Sequence, residues 1–169
     1  LRFTAHALAT RMTDLILGEA ARTLDDRYRL SLPAELADLV ASADNECVLV
    51  KEQRGCLSLW DAPRWQARLD EGVALVTSKI RAGRLAQNLD QVQLLGRLLS
   101  TRHTPIKLAG RGRIVIPEGF REFLGIQRGE TAVIIGAAVC IEIWHPEQWR
   151  EHVAEQMPGF RKLLDGLVG

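Results

Sequence analysis

No apolar run in this 169-residue chain approaches the roughly 18 residues that span a bilayer as a helix. Nor does its start resemble a secretory signal, because Arg11 and Asp14 break the apolar stretch between Leu1 and Leu17. There are only three cysteines, Cys47, Cys56 and Cys140, with no close pair among them. A sparse, odd set makes no disulfide framework and suits a reducing compartment, so a cytoplasmic protein is expected. His145 and His152, seven apart, fall near one helix face with Cys140 close in sequence, but no second cysteine completes a metal site. Catalytic signatures are missing too. There is no glycine-rich phosphate loop, and no serine or cysteine with a credible base. Paired carboxylates are also lacking, and the four histidines (His6, His103, His145, His152) are scattered. No enzyme, cofactor, metal, membrane or small-molecule substrate is expected. An apolar fraction of 47% nevertheless fills a core and excludes a disordered tail.

Acid is also nearly absent from one long stretch. Between Gly72 and Pro117 Asp90 stands alone against Lys79, Arg81, Arg84, Arg97, Arg102, Lys107, Arg111 and Arg113, a local charge of +7 in a chain of net +1. Such segregation suits a polyanionic partner, since the local field decides binding. A solvated helix face with loops has the same composition.

What the chain does have is an internal repeat. Leu24-Asp-Asp-Arg-Tyr-Arg-Leu-Ser-Leu-Pro33 answers Leu108-Ala-Gly-Arg-Gly-Arg-Ile-Val-Ile-Pro117, and Cys56-Leu-Ser-Leu-Trp60 answers Cys140-Ile-Glu-Ile-Trp144. The spacings 113 − 29, 117 − 33, 140 − 56 and 149 − 65 are all 84, which reads as a gapless duplication. In each copy a short strand leads to an arginine-containing turn and then to a strand alternating through Leu30/Leu32 or Ile114/Ile116. Pro33 and Pro117 suit the first turn of a helix, and Gly125 suits the end of the second one. Strands follow at Cys47–Lys51 with Gly55–Trp60 and at Thr131–Ile135 with Val139–Trp144, and a helix starts near Ala62 or Pro146. Leu85, Leu89, Val92, Leu95, Leu98 and Leu99 approximate helical spacing in the connector, and a last helix is expected near Gly159–Leu167.

About 46 residues per copy is close to the lower limit for a self-supporting core, so the copies are expected to pack on each other as one unit. The expected fold is α+β: two tandem β-barrel half-units forming an intrachain pseudo-dimer, with flanking helices. The expected division is an extension over 1–14, a first repeat over 15–76, a helical connector over 77–104, a second repeat over 105–156 and a C-terminal helix over 157–169.

The candidate site is Arg27 with Arg29 and, one repeat later, Arg111 with Arg113. Residues two apart in a strand share a face, so each pair is expected to present two guanidinium groups together. Guanidinium matches phosphate oxygens, or guanine O6 and N7, in bidentate geometry. Asp25 either accepts from a cytosine amine or, the favoured role, orients Arg29. Trp60, Trp65, Trp144 and Trp149 occupy matching places beside alternating apolar residues, which favours packing over base stacking. The cysteines read as small buried hydrophobes.

Laid out this way, the sequence resembles the MraZ family, whose fold belongs to the AbrB-like group, over about Leu17 to Ala154. The matching residues are Gly18-Glu19, Leu24-Asp25, Arg29-Leu-Ser-Leu-Pro33, Gly112-Arg113-Ile-Val-Ile-Pro117, Glu142-Ile143-Trp144 and Trp149. The resemblance implies a sequence-specific DNA-binding transcriptional regulator of a division and cell-wall gene cluster. It also implies a ring-like homo-oligomer on double-stranded promoter repeats, with a cytoplasmic, nucleoid-associated location. The family pattern, an acid four residues before an arginine preceded by glycine, is broken in both copies. Tyr28 replaces the glycine in the first and Ala109 replaces the acid in the second. A tyrosine accepts positive φ only at a cost, so the first turn is expected to be reshaped or Tyr28 to stack on sugar or base. The alternative is an oligomeric scaffold or antitoxin-like AbrB-fold module with weakened DNA recognition. Residues before about Thr13 are expected to be disordered or to precede the true start, for which Met12 is the candidate.

Overall fold

The computed structural model describes residues 15–41 and 44–169; the expectations for residues 1–14 and for Met12 lie outside them. The first repeat runs β1 (Ile16–Thr23), β2 (Arg29–Ser31), α1 (Ala34–Val40), β3 (Glu46–Gln53), β4 (Cys56–Asp61) and α2 (Ala62–Arg81). A 3₁₀ turn at Ala86–Asn88 and α3 (Leu89–Arg102) complete the connector. The second repeat runs β5 (His103–Lys107), β6 (Arg113–Val115), α4 (Glu118–Leu124), β7 (Thr131–Ala138), β8 (Ile141–Trp144) and α5 (Pro146–Gln156), and α6 (Phe160–Val168) ends the chain. Pro33 and Pro117 sit one residue earlier than expected, at the N-caps, where a missing N–H is equally harmless. Gly125 closes α4 in the left-handed region, at φ 77°.

The strands of the two repeats interleave. β1 pairs with β7 of the other repeat, β5 pairs with β3, β4 pairs with β8, and the six form one antiparallel sheet in the order β1-β7-β8-β4-β3-β5. β2 and β6 pair only with each other, as a separate two-stranded ribbon. The copies thus make one body, as expected. Closed barrel halves are not what the ladders make: among the described residues the sheet is open, with β1 and β5 as its edges.

Both faces of the sheet are covered, which explains why β4 reads Cys-Leu-Ser-Leu-Trp with nearly every residue buried. On one face Leu49, Leu57, Leu59, Ile134, Ile141 and Ile143 pack with residues of α1, α4 and the ribbon, among them Leu36, Phe120, Leu30 and Ile114. On the other, Val48, Val50, Trp60 and Cys140 pack with Trp65 of α2, while Cys56, Ile135 and Trp144 pack with Trp149 of α5. The tryptophans are therefore packing residues. His152 stacks among them, 4.8 Å from Trp144, and His145 Nδ1 accepts from the Glu147 N–H at the start of α5.

The repeat is not gapless. β2/β6 and α1/α4 differ by 84 residues, but the ladders equate Cys47 with Ala132, a difference of 85. The loop before β3 is one residue short, and a bulge between Lys51 and Gln53 restores the offset before β4.

All three thiols are buried. Burial pushes Cys47 and Cys140 up to about 12 and raises Cys56 as well. Only thiolate is alkylated. Iodoacetamide at pH 8 is therefore expected to leave the native protein unmodified, and to label three sites once it is unfolded. Rapid native labelling, read by intact mass, would contradict the packing.

Candidate nucleic-acid interface

The ribbon places the arginines. Leu30 pairs with Ile114 at its centre and both point into the core, so their neighbours Arg29, Ser31, Arg113 and Val115 lie on the outward face. Arg29 faces Val115 across the ribbon and Arg113 faces Ser31. Arg29 and Arg113 are thus diagonal neighbours, about 7–8 Å apart at their α-carbons. The pairing continues past both ends, where the Leu32 N–H donates to the Gly112 carbonyl (2.9 Å) and the Ile116 N–H to the Tyr28 carbonyl (3.0 Å). The turns 25–28 and 109–112 therefore flank the arginine face at opposite ends. Arg27 and Arg111 are exposed in those turns, not in strands. Alternation does not govern them, so the expected within-repeat pairs give way to one between-repeat pair, Arg29 with Arg113.

The first turn is built around a carboxylate. Asp25 Oδ1 accepts from the backbone N–H groups of Arg27 (2.9 Å) and Arg29 (2.8 Å), and Oδ2 accepts from Arg29 Nε at 2.7 Å. Asp25 thereby fixes both the turn and the direction of the arginine beyond it, its favoured role. The Arg29 backbone N–H, the Arg29 side chain and the Arg27 N–H hold its carboxyl below the usual range, and partial burial opposes them. A depressed folded-state value means this support is complete at neutral pH and fades as pH falls through that value. In an NMR titration the Arg27 and Arg29 amide signals are expected to follow a transition whose midpoint lies below the ordinary aspartate value of about 3.9. A midpoint at or above it would show that the carboxylate is not so held.

The second turn has no such carboxylate. It closes with the Gly112 N–H on the Ala109 carbonyl (3.1 Å) and the Ala109 N–H on the Arg113 carbonyl (2.8 Å). Arg111 and Gly112 are both left-handed, at φ 64° and 74°. In the first turn the left-handed position falls to Tyr28, at φ 61°. The residue that takes glycine's place thus keeps glycine's backbone, at a cost of about 1–2 kcal/mol. Its ring is half-buried, with the Arg121 guanidinium carbon 3.6 Å from its centroid and that of Arg128 at 5.2 Å. Cation–π contact of this kind contributes about 0.5–1 kcal/mol in exposed settings, which offsets part of that cost.

Of the eight bases in the acid-poor stretch, Arg111 and Arg113 reach the ribbon and its turns, while Lys79, Arg81, Arg97 and Arg102 lie on α2 and α3. Arg102 is engaged there by Glu52 at 3.2 Å and by the Lys51 carbonyl. Among the described residues no helix is long and apolar enough to cross a membrane, and no cluster of histidine, cysteine or acidic residues could hold a metal ion.

Comparison with known proteins agrees with the doubled architecture. The family model described as that of the MraZ protein, likened to antitoxins, matches in two segments, residues 15–85 and 101–165. A transcriptional regulator MraZ from Stenotrophomonas maltophilia is 34% identical over 154 residues, covering 89% of this chain and 95% of that one. Those from Treponema denticola and Thermus thermophilus are each 29% identical, covering 89% and 90% of this chain and 95% and 98% of theirs. A solution structure of PHS018 from Pyrococcus horikoshii aligns over 77% of this chain and 90% of that one at 13% identity, with a TM-score of 0.30, too slight a likeness to bear on the fold. The matches extend over both repeats and at the level of the whole chain, and on them the protein belongs to the MraZ family of transcriptional regulators, not to a family of enzymes.

Proposed function

We propose that this MraZ-type regulator reads double-stranded promoter DNA with the outward face of the ribbon, using Arg29 and Arg113 on its two strands and Arg27 and Arg111 at its flanking turns. The carrying observation is the ribbon register: it sets two arginines from different repeats diagonally across one outward face, one of them aimed by Asp25. Two guanidinium groups on a narrow, twofold-related projection suit bidentate contact with guanine edges or adjacent phosphates. The chain acts in the cytoplasm, at the nucleoid, on a division and cell-wall gene cluster.

The same reading includes assembly into a ring on repeated promoter boxes. Support for self-association comes from apolar side chains left exposed on α2 and α3, such as Leu75, Leu89, Leu94 and Leu98, and on α6, such as Phe160, Leu163 and Leu167. A soluble monomer rarely leaves so much apolar surface open. Light scattering at micromolar concentration is expected to give many times the 18.8 kDa chain mass, and a sharp monomer peak would remove the ring. Anisotropy titration of DNA from just upstream of the chain's own gene, against scrambled duplex and RNA of equal length, tests the reading. Tighter binding to the first, falling steeply with salt, is expected. The second reading, an oligomeric scaffold or antitoxin-like module, is favoured by Ala109, which leaves Arg113 without an orienting carboxylate. It predicts no preference for the upstream duplex.

A further inference from the structure

Tyr28 and Arg121 differ from their repeat partners together. Their counterparts at an offset of 84 are Gly112 and Ala37, and those two also face each other: a Cβ on Gly112 would lie 2.8 Å from the Ala37 Cβ. The second turn therefore rests on a small-on-small contact with no room for a side chain. At the equivalent place the first turn carries an aromatic ring under a guanidinium, 3.6 Å from ring centroid to Arg121 Cζ. Arg121 is held from below as well, since its Nη1 donates to the Ile116 carbonyl at 2.7 Å. Arg128, exposed on the loop after α4, brings a second guanidinium to within 5.2 Å of the same ring. Among the described residues neither arginine has a carboxylate within salt-bridge distance.

We infer that Tyr28, Arg121 and Arg128 form a phosphate-binding shelf beside the first turn, absent from the second, which adds a DNA backbone contact on one side of the ribbon and gives the two repeats unequal footprints. This rests on the proposal that the ribbon binds DNA. A guanidinium stacked on a ring keeps its N–H edge for an anion and has already lost most of its rotational freedom. The three residues line a hollow of about 610 Å³, shared with Glu118 and Glu122. Two glutamates against two arginines leave that hollow without net charge, so a free anion gains little there. A duplex already held by the ribbon brings its phosphate to the rim as one more contact. The shelf is therefore an extension of the DNA face and not a site for small anions.

The test is the salt dependence of duplex binding by the full-length protein. Arg128→Gln is expected to weaken upstream and scrambled duplexes alike and to flatten the slope of log K against log salt by about 0.9 for each phosphate lost. The double variant Tyr28→Gly with Arg121→Ala, which copies the second repeat's pair, is expected to fold and to show the same flattening. Ethylation interference on the wild type should show more phosphates on one side of the bound site than on the other, and the excess should vanish in Arg128→Gln. Millimolar inorganic phosphate should not compete beyond its ionic strength. An unchanged slope in both variants, or a symmetric interference pattern in the wild type, overturns the shelf. If the salt slope is unchanged in those variants while duplex binding is lost on replacing Arg29 and Arg113, the ribbon reading stands and the shelf alone falls. If the wild type binds no duplex, both fall.

Discussion

Replacing Arg29 and Arg113 together with alanine is expected to abolish specific DNA binding while the number of subunits in the assembly stays the same and the melting temperature falls by no more than loss of the half-exposed Asp25–Arg29 ion pair costs. Both side chains lie on the outward face of the ribbon, so truncating them opens no cavity beneath. Each arginine that reads a base contributes roughly 1–3 kcal/mol per engaged contact. In a ring of linked subunits that loss recurs at every engaged ribbon, and avidity of about 10²–10⁴-fold in favourable geometry is lost with it. The single variants should differ. Arg29 is fixed through Nε by Asp25, as a base-reading group must be, so Arg29→Ala is expected to reduce discrimination between operator and scrambled DNA. Arg113 follows a turn without a carboxylate and should act as a phosphate anchor, so Arg113→Ala should weaken every sequence alike. Titrating the three variants against both duplexes at two salt concentrations decides this, and wild-type affinity in the double variant would falsify the ribbon as the DNA site.

Ile143→Ala should cost about 2–5 kcal/mol of stability, the range for truncating a large aliphatic side chain in a packed core. Ile143 is fully buried and faces Leu57, equally buried, across the junction of β8 with β4. Because β1 and β5 also pair with the other repeat's strands, neither repeat keeps its sheet alone. Denaturant unfolding of the variant is therefore expected to remain a single transition, shifted to lower denaturant with an unchanged slope. The Leu57→Ala variant should behave alike, and the double variant should be less damaged than the two losses added, since the residues share one cavity. Two separated transitions would mean that the repeats fold independently.

Much of this was legible in the sequence. Proline, cysteine and tryptophan recur at a common spacing, and each has a packing or backbone reason to be kept, so the duplication shows through low identity. The exchange of β1 and β5 between repeats was not legible residue by residue. A strand's alternating pattern says which face is buried but not which strand lies beside it. The one-residue slip in β3 was hidden because the short loop and the bulge cancel, leaving the anchors on either side at the same offset. For the proposed site, the candidate arginines stand out by their place in the repeat, and the strain at Tyr28 by comparison with Gly112. Arg121 was missed because its role comes from a contact made across the fold. A signal did exist: positions 28/112 and 37/121 are two mismatches in the repeat, one gaining an aromatic ring where the other gains a cation.

The bulge between Lys51 and Gln53 has a consequence beyond register. The extra residue there, Glu52, accepts a hydrogen bond from buried Ser58 and also meets Arg102 at the end of α3. The matching hairpin, β7 with β8, pairs without a register shift. A dimer of identical chains must carry any such device twice, once where it is useful and once where it is idle or harmful. Fusing the two copies into one polypeptide lifts that obligation, and one hairpin is free to act as a latch while its twin keeps an unbroken ladder.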